Sequence, residues 1–334
     1  MEIIFHPDYI LHKQKGTHPE RPDRLIEVME RLDKEDLTED VIVPEHISEE
    51  NLTVVHTEEY ISRFKSHPPG YLDGGDTYIC ESTYDIARLS AAGALSAVDI
   101  SKKGKAALAL LRPPGHHAGA GYGGGFCYLN NIALAAAHSG VDKVAILDFD
   151  GHHGNGTSDI YYSDPGVLFI STHHYGIYPG TGEAIAIGDG RGEGFNVNVP
   201  FQTGVGDSSY GFAWDELIEP ILSDYKPKLI LVSLGTDGHY SDGMTGLSLS
   251  SQAYIEMSKK SIDLSQKLCG GKIAFFLEGG YHLNSLAEII AGISALTEGK
   301  ELKLEHTSVY DDNCLGRQAV ERTKRALQDH WKFY

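Results

Sequence analysis

The chain has 334 residues, 41% hydrophobic and 22% charged, enough for a large core and unlike a disordered chain, and its 38 glycines follow no collagen-like triplet. Lys plus Arg number 28 against 47 Asp plus Glu; the net charge of −19 argues against direct nucleic-acid binding, which needs a basic face. Four cysteines without a C-x-x-C pair, no basic-then-apolar leader and no apolar run near the roughly 18 residues of a membrane span point to a cytoplasmic, reducing setting.

The predicted elements alternate along the chain. Residues 1–6 (MEIIFH) read as a strand, and 20–32 as a helix with Leu25, Ile26, Val28, Met29 and Leu32 along one stripe. An Ala- and Leu-rich helix over 82–101, with Gly93 its weak point, leads to a strand at 105–111 (KAALALL). A helix at 130–139 precedes the clearest strand, 143–150 (KVAILDFD), and strands follow at 167–174 (VLFISTHH) and 195–201 (FNVNVPF). A helix at 209–224, a strand at 228–237 (KLILVSLGTD), a helix at 250–268, a strand at 272–279 (KIAFFLEG) and helices at 283–296 and 315–328 complete the set. The central strands are continuously apolar, as expected when both faces of a parallel sheet are covered. The fold class is therefore α/β, a three-layer αβα arrangement with a mostly parallel central sheet. Gly-rich stretches at 115–125, 151–156 and 176–194 fall at strand ends rather than between composition blocks, so residues 1–334 read as one domain.

In open parallel sheets, ligands bind beyond the carboxyl ends of the strands. Four such ends carry polar groups: His116 and His117; Asp148, Asp150, His152 and His153; Asp237 and His239; and Glu278, Tyr281 and His282. In extended chain, positions two apart face the same way, so Asp148, Asp150 and His152 are expected to point at one spot, with Gly151 and Gly154 allowing a tight turn. Asp-x-His offers two metal ligands and Asp237 a third. Three protein ligands with an open fourth position suit a catalytic zinc, which would lower the pKa of a bound water and polarise a carbonyl. The 17 histidines against four cysteines favour imidazole and carboxylate ligation over thiolate. His116 and His117 would stand opposite as general base and electrostatic partner. Gly119, Gly121 and Gly124 match G-x-G-x-x-G, but two prolines and two histidines separate them from the preceding strand, so a dinucleotide site is not supported; no P-loop motif occurs.

These segments resemble the histone deacetylase family of the arginase–deacetylase superfamily. The matching pieces are HPERPDRL (18–25), RPPGHHA (112–118), GFCYLNN (125–131), LDFDGHHGNGT (147–157), PGTG (179–182), NVPF (198–201), SLGTD (233–237) and EGGY (278–281), in the family's order. The similarity is greatest to class II-like enzymes and bacterial and archaeal relatives, including acetylpolyamine amidohydrolases and acetoin-utilisation proteins. The resemblance implies one catalytic Zn2+ held by Asp150, His152 and Asp237. It implies that His117 is the general base and acid, His116 its electrostatic or proton-donating neighbour, and Tyr281 the stabiliser of the oxyanion. Asp148 would orient a His and contact a structural K+, whose other oxygens would come from Asp150, His152, Ser171 and Thr172. A second potassium site is implied, loosely, near Tyr161 and Val167. Asn155 stands where some members have Asp, which would leave His117 less basic. Substrate would meet Phe126 and Tyr178 as tunnel walls, with Gly125 and Met244 beside them and Asp76, within 74–79, as an anchor for the substrate backbone. Arg21 would line an internal acetate channel. Polyamine-selective relatives carry an acidic gatekeeper near the third ligand; residues 237–244 hold Asp242 but no Glu at that place.

The expected activity is hydrolysis of an N-acetyl or short acyl amide, on an acetylated lysine of a protein or peptide, with an acetylated polyamine as the alternative. No nucleic acid or membrane partner is expected, and a homo-oligomer stays open. An arginase-like two-manganese ureohydrolase would want a further Asp where His239 stands. A silent acyl-lysine binding module would lack a ligand or the Tyr, whereas all are present.

Overall fold

The computed structural model describes residues 1–39, 41–72, 75–307, 311 and 313–333. Its strands in chain order are β1 (Glu2–Ile4), β2 (Val41–Ile42), β3 (Gly70–Tyr71), β4 (Tyr78–Ile79), β5 (Ala107–Ala109), β6 (Val144–Asp148), β7 (Val167–His174), β8 (Asn196–Phe201), β9 (Leu229–Leu234) and β10 (Ile273–Leu277). Eight form one sheet in the order β2-β1-β5-β10-β9-β6-β7-β8, while β3 and β4 make a separate antiparallel pair. Every pairing within the large sheet is parallel. The continuously apolar strands are the buried centre: no residue of β6, β9 or β10 reaches solvent appreciably. Because β10 and β9 insert between β5 and β6, the four strand ends that carry the polar residues are consecutive neighbours in space.

The helices are α1 (Asp23–Lys34), α2 (Glu58–Ser66), α3 (Thr83–Ser101), α4 (Asn131–Ser139), α5 (Asn155–Tyr161), α6 (Asp207–Ala213), α7 (Glu219–Tyr225), α8 (Ser251–Cys269), α9 (Leu283–Leu296) and α10 (Cys314–Leu327). They cover both faces of the sheet: α3 packs on α4, while α1 packs on α9 and α9 on α8. Side-chain oxygens of Asn130 and Ser250 accept the N–H of Ala133 and Ala253 and so start α4 and α8, which end at Gly140 and Gly270 in left-handed conformation. No helix among the described residues is long and apolar enough to cross a membrane.

Several expectations shift. The helix expected over 209–224 is interrupted: Pro220 has no N–H for the preceding turn, and the backbone widens there, with Trp214–Ile218 wound as a π-turn between α6 and α7. Ile26, expected on the buried stripe of α1, is 43% exposed, and the stripe is Arg24, Leu25, Val28 and Leu32. The short elements β2, α2, α5 and the β3–β4 pair had no periodic signal long enough to read. Of these, α2 is started by Thr57, whose hydroxyl accepts the N–H of Tyr60, and it buries Tyr60, Ile61 and Phe64 in a satellite core with Tyr128 and Leu134.

Candidate active site

The strand expected over 143–150 ends at Asp148 because side-chain carboxylates take over the backbone donors. Asp148 Oδ1 accepts the N–H of Asp150 at 3.1 Å, and Asp150 Oδ1 accepts the N–H of His152 at 2.9 Å. Two such turns in succession coil the chain rather than extend it. The extended-chain expectation for Asp148, Asp150 and His152 is thereby corrected: Asp150 and His152 converge on Asp237, and Asp148 turns away to His116.

Three ligand atoms, one each from Asp150, His152 and Asp237, lie within 4.8 Å of one another. His152 Nδ1 stands 3.2 Å from Asp150 Oδ1 and 2.8 Å from Asp237 Oδ2. A tetrahedral centre with bonds of about 2.0–2.1 Å sets neighbouring ligands roughly 3.3 Å apart, so the trio fits zinc in donor type, number and spacing. The remaining oxygens are tied down: Asp237 Oδ1 accepts the N–H of Gly151 at 2.7 Å, and Asp150 Oδ2 that of Gly279 at 2.9 Å. Burial pushes the Asp237 carboxyl up and Asp150 pushes it further. Two carboxylates this deep call for a cation. A second group, His116, Cys127 and Glu278, also has ligand atoms within 4.8 Å, but Glu278 Oε2 already accepts the N–H of Gly115 and of His116 at 2.7 and 3.1 Å.

His116 and His117 follow β5 with ring centroids 3.9 Å apart. Their surroundings push them in opposite directions. Burial alone would lower His116, but Asp150 and Asp148 outweigh it and hold the imidazole up, at about 10; its Nδ1 is 3.1 Å from Asp148 Oδ2. Burial drives His117 well below the ordinary value, and the neighbouring His116 and His152 add to the effect; its Nδ1 is 2.8 Å from Asn155 Oδ1. The surroundings thus favour the charged form of His116 and the neutral form of His117, the separation expected of an electrostatic partner and a base. Glu278 carries the peptide of this pair and is itself pushed up by burial to about 7.

Tyr281 lies in the loop after β10. Asp242 Oδ2 accepts the N–H of Tyr281 and of His282 at 2.6 and 2.8 Å. Arg24 donates from Nε to the carbonyl of Gly280 at 2.6 Å and from Nη2 to that of Glu278 at 2.5 Å, with its guanidinium 5.0 Å from the Tyr281 ring centroid. Burial raises the phenol well above its ordinary value, so it stays a proton donor. Arg24 is held by Glu20 Oε1 at 3.3 Å, and the same oxygen accepts from Arg112 Nε at 2.6 Å. The arginine expected to line an internal acetate channel was Arg21; that side chain is 45% exposed and pairs with Asp23, and the buried ones nearby are Arg24 and Arg112. Arg24 precedes Val28 and Leu32 at helical spacing, on the buried stripe, a position its charge disguises in the sequence.

Gly125, at φ +53°, is wedged between rings: a Cβ there would sit 2.4 Å from His117 and 2.8 Å from Tyr178. Tyr178 meets His117 edge-on at 5.0 Å, and Phe126 faces Tyr281 at 6.0 Å and His18 at 4.5 Å. Asp76 reaches this wall through Thr77, whose hydroxyl donates to Asp76 Oδ1 at 3.0 Å and accepts from the Phe126 N–H at 3.2 Å; Gly74, in the same expected segment, lies outside the described residues. Met244 is half-buried in the loop between Asp237 and α8. Ser171 and Thr172 are buried on β7, where the Thr172 hydroxyl donates to the Asp148 carbonyl at 3.3 Å. His239 turns away from the trio: its Nδ1 accepts from Ser241 N–H at 3.1 Å and its ring stacks on Tyr240.

The histone deacetylase domain model matches residues 18–296. A "Probable deacetylase" of Archaeoglobus fulgidus is 39% identical over 99% of both chains. The "Polyamine deacetylase HDAC10" of Homo sapiens is 32% identical over 99% of this chain and 52% of its own, and the "Histone deacetylase-like amidohydrolase" of Pseudomonas aeruginosa 41% over 70% and 64%. Among solved structures, the HDA15 HD domain superposes with a TM-score of 0.90 at 32% identity, covering 99% of this chain and 97% of that one. Matched motifs, an all-parallel arginase–deacetylase sheet and the polar groups gathered at its four central strand ends agree, and the chain belongs to the histone deacetylase family.

Proposed function

We propose that the chain is a zinc-dependent amidohydrolase that removes an acetyl or short acyl group from an amine, with acetyl-lysine of a protein or peptide as its substrate. The observation that carries this is the convergence of ligand atoms of Asp150, His152 and Asp237 within 4.8 Å, next to His116 and His117, with the half-buried Tyr281 on the loop after β10.

Asp150, His152 and Asp237 would hold the zinc, which when bound would make a water easier to deprotonate and polarise the amide carbonyl. His117, neutral and with Nδ1 engaged by Asn155, has Nε2 to take a proton from the attacking water and return it to the leaving amine. His116 stays charged beside it and favours the negative charge of the tetrahedral stage. The Tyr281 hydroxyl donates to the developing oxyanion. Phe126, Tyr178 and Gly125 line the approach of the acyl-lysine, with Asp76 and Met244 at its edge. A structural K+ would lie near Asp148, Ser171 and Thr172. Since the proposed ligands come from the ends of β6 and β9 and Tyr281 is braced from α1, we propose that residues 1–334 act as one catalytic domain.

A polyamine substrate is the second reading, favoured by the net charge of −19. Asp242 holds the Tyr281 and His282 N–H groups through Oδ2, while its buried Oδ1 has no hydrogen-bond partner among the described residues, an oxygen that an ammonium group could meet. The test offers zinc-loaded protein acetyl-lysine peptides and acetylated polyamines together. A higher kcat/KM for the peptides upholds the first reading, the reverse supports the second, and binding without turnover by zinc-loaded protein refutes both.

A further inference from the structure

Asn155 leaves His117 without the direct carboxylate that would settle which ring nitrogen carries its proton. The structure continues past Asn155. Its Nδ2 donates to the Tyr122 hydroxyl at 3.1 Å, and that hydroxyl donates to Asp159 Oδ2. Asn155 and Asp159 are four residues apart on α5 and so share a face. Tyr122 reaches them from the loop after His117, where Gly119 makes room: a Cβ at Gly119 would sit 2.3 Å from the Tyr122 ring. This is what the first glycine of the G-x-G-x-x-G segment does here. We infer that Asp159, acting through Tyr122 and Asn155, fixes the proton of His117 on Nδ1 and leaves Nε2 as the base; the inference rests on the role proposed for His117.

The reasoning is one of hydrogen-bond polarity. An ionised carboxylate only accepts. The Tyr122 hydroxyl has a single proton, which Asp159 claims, so toward Asn155 its oxygen only accepts. Partial burial of the ring, reinforced by the hydrogen bond to Asp159, raises the Tyr122 phenol, so that proton is retained. The Asn155 amide must then turn its NH2 to Tyr122 and its Oδ1 to His117. An amide oxygen only accepts, so His117 Nδ1 must be the protonated nitrogen. If the amide were reversed, Oδ1 would face a lone pair and NH2 would face N–H. With the carboxylate removed, the phenol proton is free to turn to Asn155, the amide can reverse, and its NH2 then favours a His117 whose proton sits on Nε2. Asp159 and Tyr122 are exposed, so the relay opens to solvent and water competes for its outer end. They are positioning residues; neither touches the reacting atoms.

The test uses the zinc-loaded 334-residue chain with 15N-labelled histidine. The His117 ring signals are assigned from their loss in His117→Gln. In the unmodified chain they should report N–H at Nδ1. In Asp159→Asn, whose amide can present either polarity, and in Tyr122→Phe, the signals should move toward the Nε2–H form. The kcat for deacetylation should fall roughly 3- to 10-fold at little changed KM, well short of the 10²–10⁴ expected for loss of the base itself. In an Asn155→Asp background the carboxylate faces His117 directly, so adding Asp159→Asn should no longer move the ring signals. His117 remaining Nδ1–H in both single variants would overturn the inference, as would an equal effect of Asp159→Asn in the two backgrounds. If the deacetylase reading itself fails, no variant turns over acyl amide, yet the ring spectra still decide the tautomer.

Discussion

Replacing Tyr281 with Phe separates chemistry from folding. The ring is held by its neighbours: Arg24 lies 5.0 Å from its centroid and Phe126 meets it edge-on at 6.0 Å. Phenylalanine keeps both contacts, and the backbone N–H of residue 281 keeps its bond to Asp242. The hydroxyl has no hydrogen-bond partner among the described residues, so its deletion strands no other buried group and should change stability by less than about 0.5 kcal/mol. Scaled for a large domain, that is a Tm shift of roughly 1–2 °C. Loss of one oxyanion donor costs about 10²–10³ in rate, or ~2.7–4 kcal/mol. Because the bond strengthens in the transition state, the loss should fall on kcat and spare KM. Steady-state kinetics on an acetyl-lysine peptide, paired with thermal unfolding of the same preparations, measures both. A kcat within 3-fold of the parent refutes the oxyanion role, and a Tm drop of many degrees shows that the hydroxyl was structural.

Asp237→Ala should cut bound zinc, read by elemental analysis, in parallel with activity; full activity at low zinc would remove Asp237 from the ligand set. Glu20 is buried, which by itself would raise its carboxyl, but Arg112, His12 and Arg24 outweigh this and hold it at about 2. A depressed carboxylate adds stability above its unfolded pKa and loses it as the pH falls through the folded value, so about 3 kcal/mol present above pH 4.5 should be gone near pH 2. Urea unfolding of the parent between these limits should show that slope and Glu20→Gln should lack it; identical slopes would reject the network's role. Arg24→Met breaks a buried pair and frees two carbonyls of the Tyr281 loop, and should cost about 3–5 kcal/mol in denaturant unfolding. A loss under 1 kcal/mol would show that the loop is held without it.

The sheet was legible because its central strands are apolar without interruption, a pattern that β6, β9 and β10 share for one physical reason, cover on both faces. Their ends were less so. Hydrophobicity continues through Phe149, which is buried, although the strand has stopped at Asp148. What stops it is side-chain competition for backbone donors, and that leaves no trace in periodicity. The proposed metal trio was legible as Asp-x-His plus a distant Asp, although the chain coils rather than extends there and Asp148 turns to His116. The relay from Asn155 to Asp159 leaves no mark in the sequence because Tyr122 sits in a glycine segment that reads as loop.

The motif HPERPDRL shows how a segment remote from the strand ends comes to matter at them. Nothing in it joins the proposed metal trio. It holds Glu20 and Arg24, both fully buried, and a buried charge must be paired. Glu20 takes Arg24 and Arg112; Arg112 Nη1 reaches the carbonyls of Tyr9 and His12, and Arg24 reaches those of Gly280 and Glu278. Each partner is a backbone carbonyl or a second ion, so only an Arg fork at this place meets the bonds. The network therefore ties the amino-terminal segment to the loop that presents Tyr281, with Asp242 closing that loop from the other side. Phenol position is thus set by charges some 250 residues earlier in the chain, and a change in Glu20 should reach catalysis through Arg24 while leaving the proposed metal ligands in place.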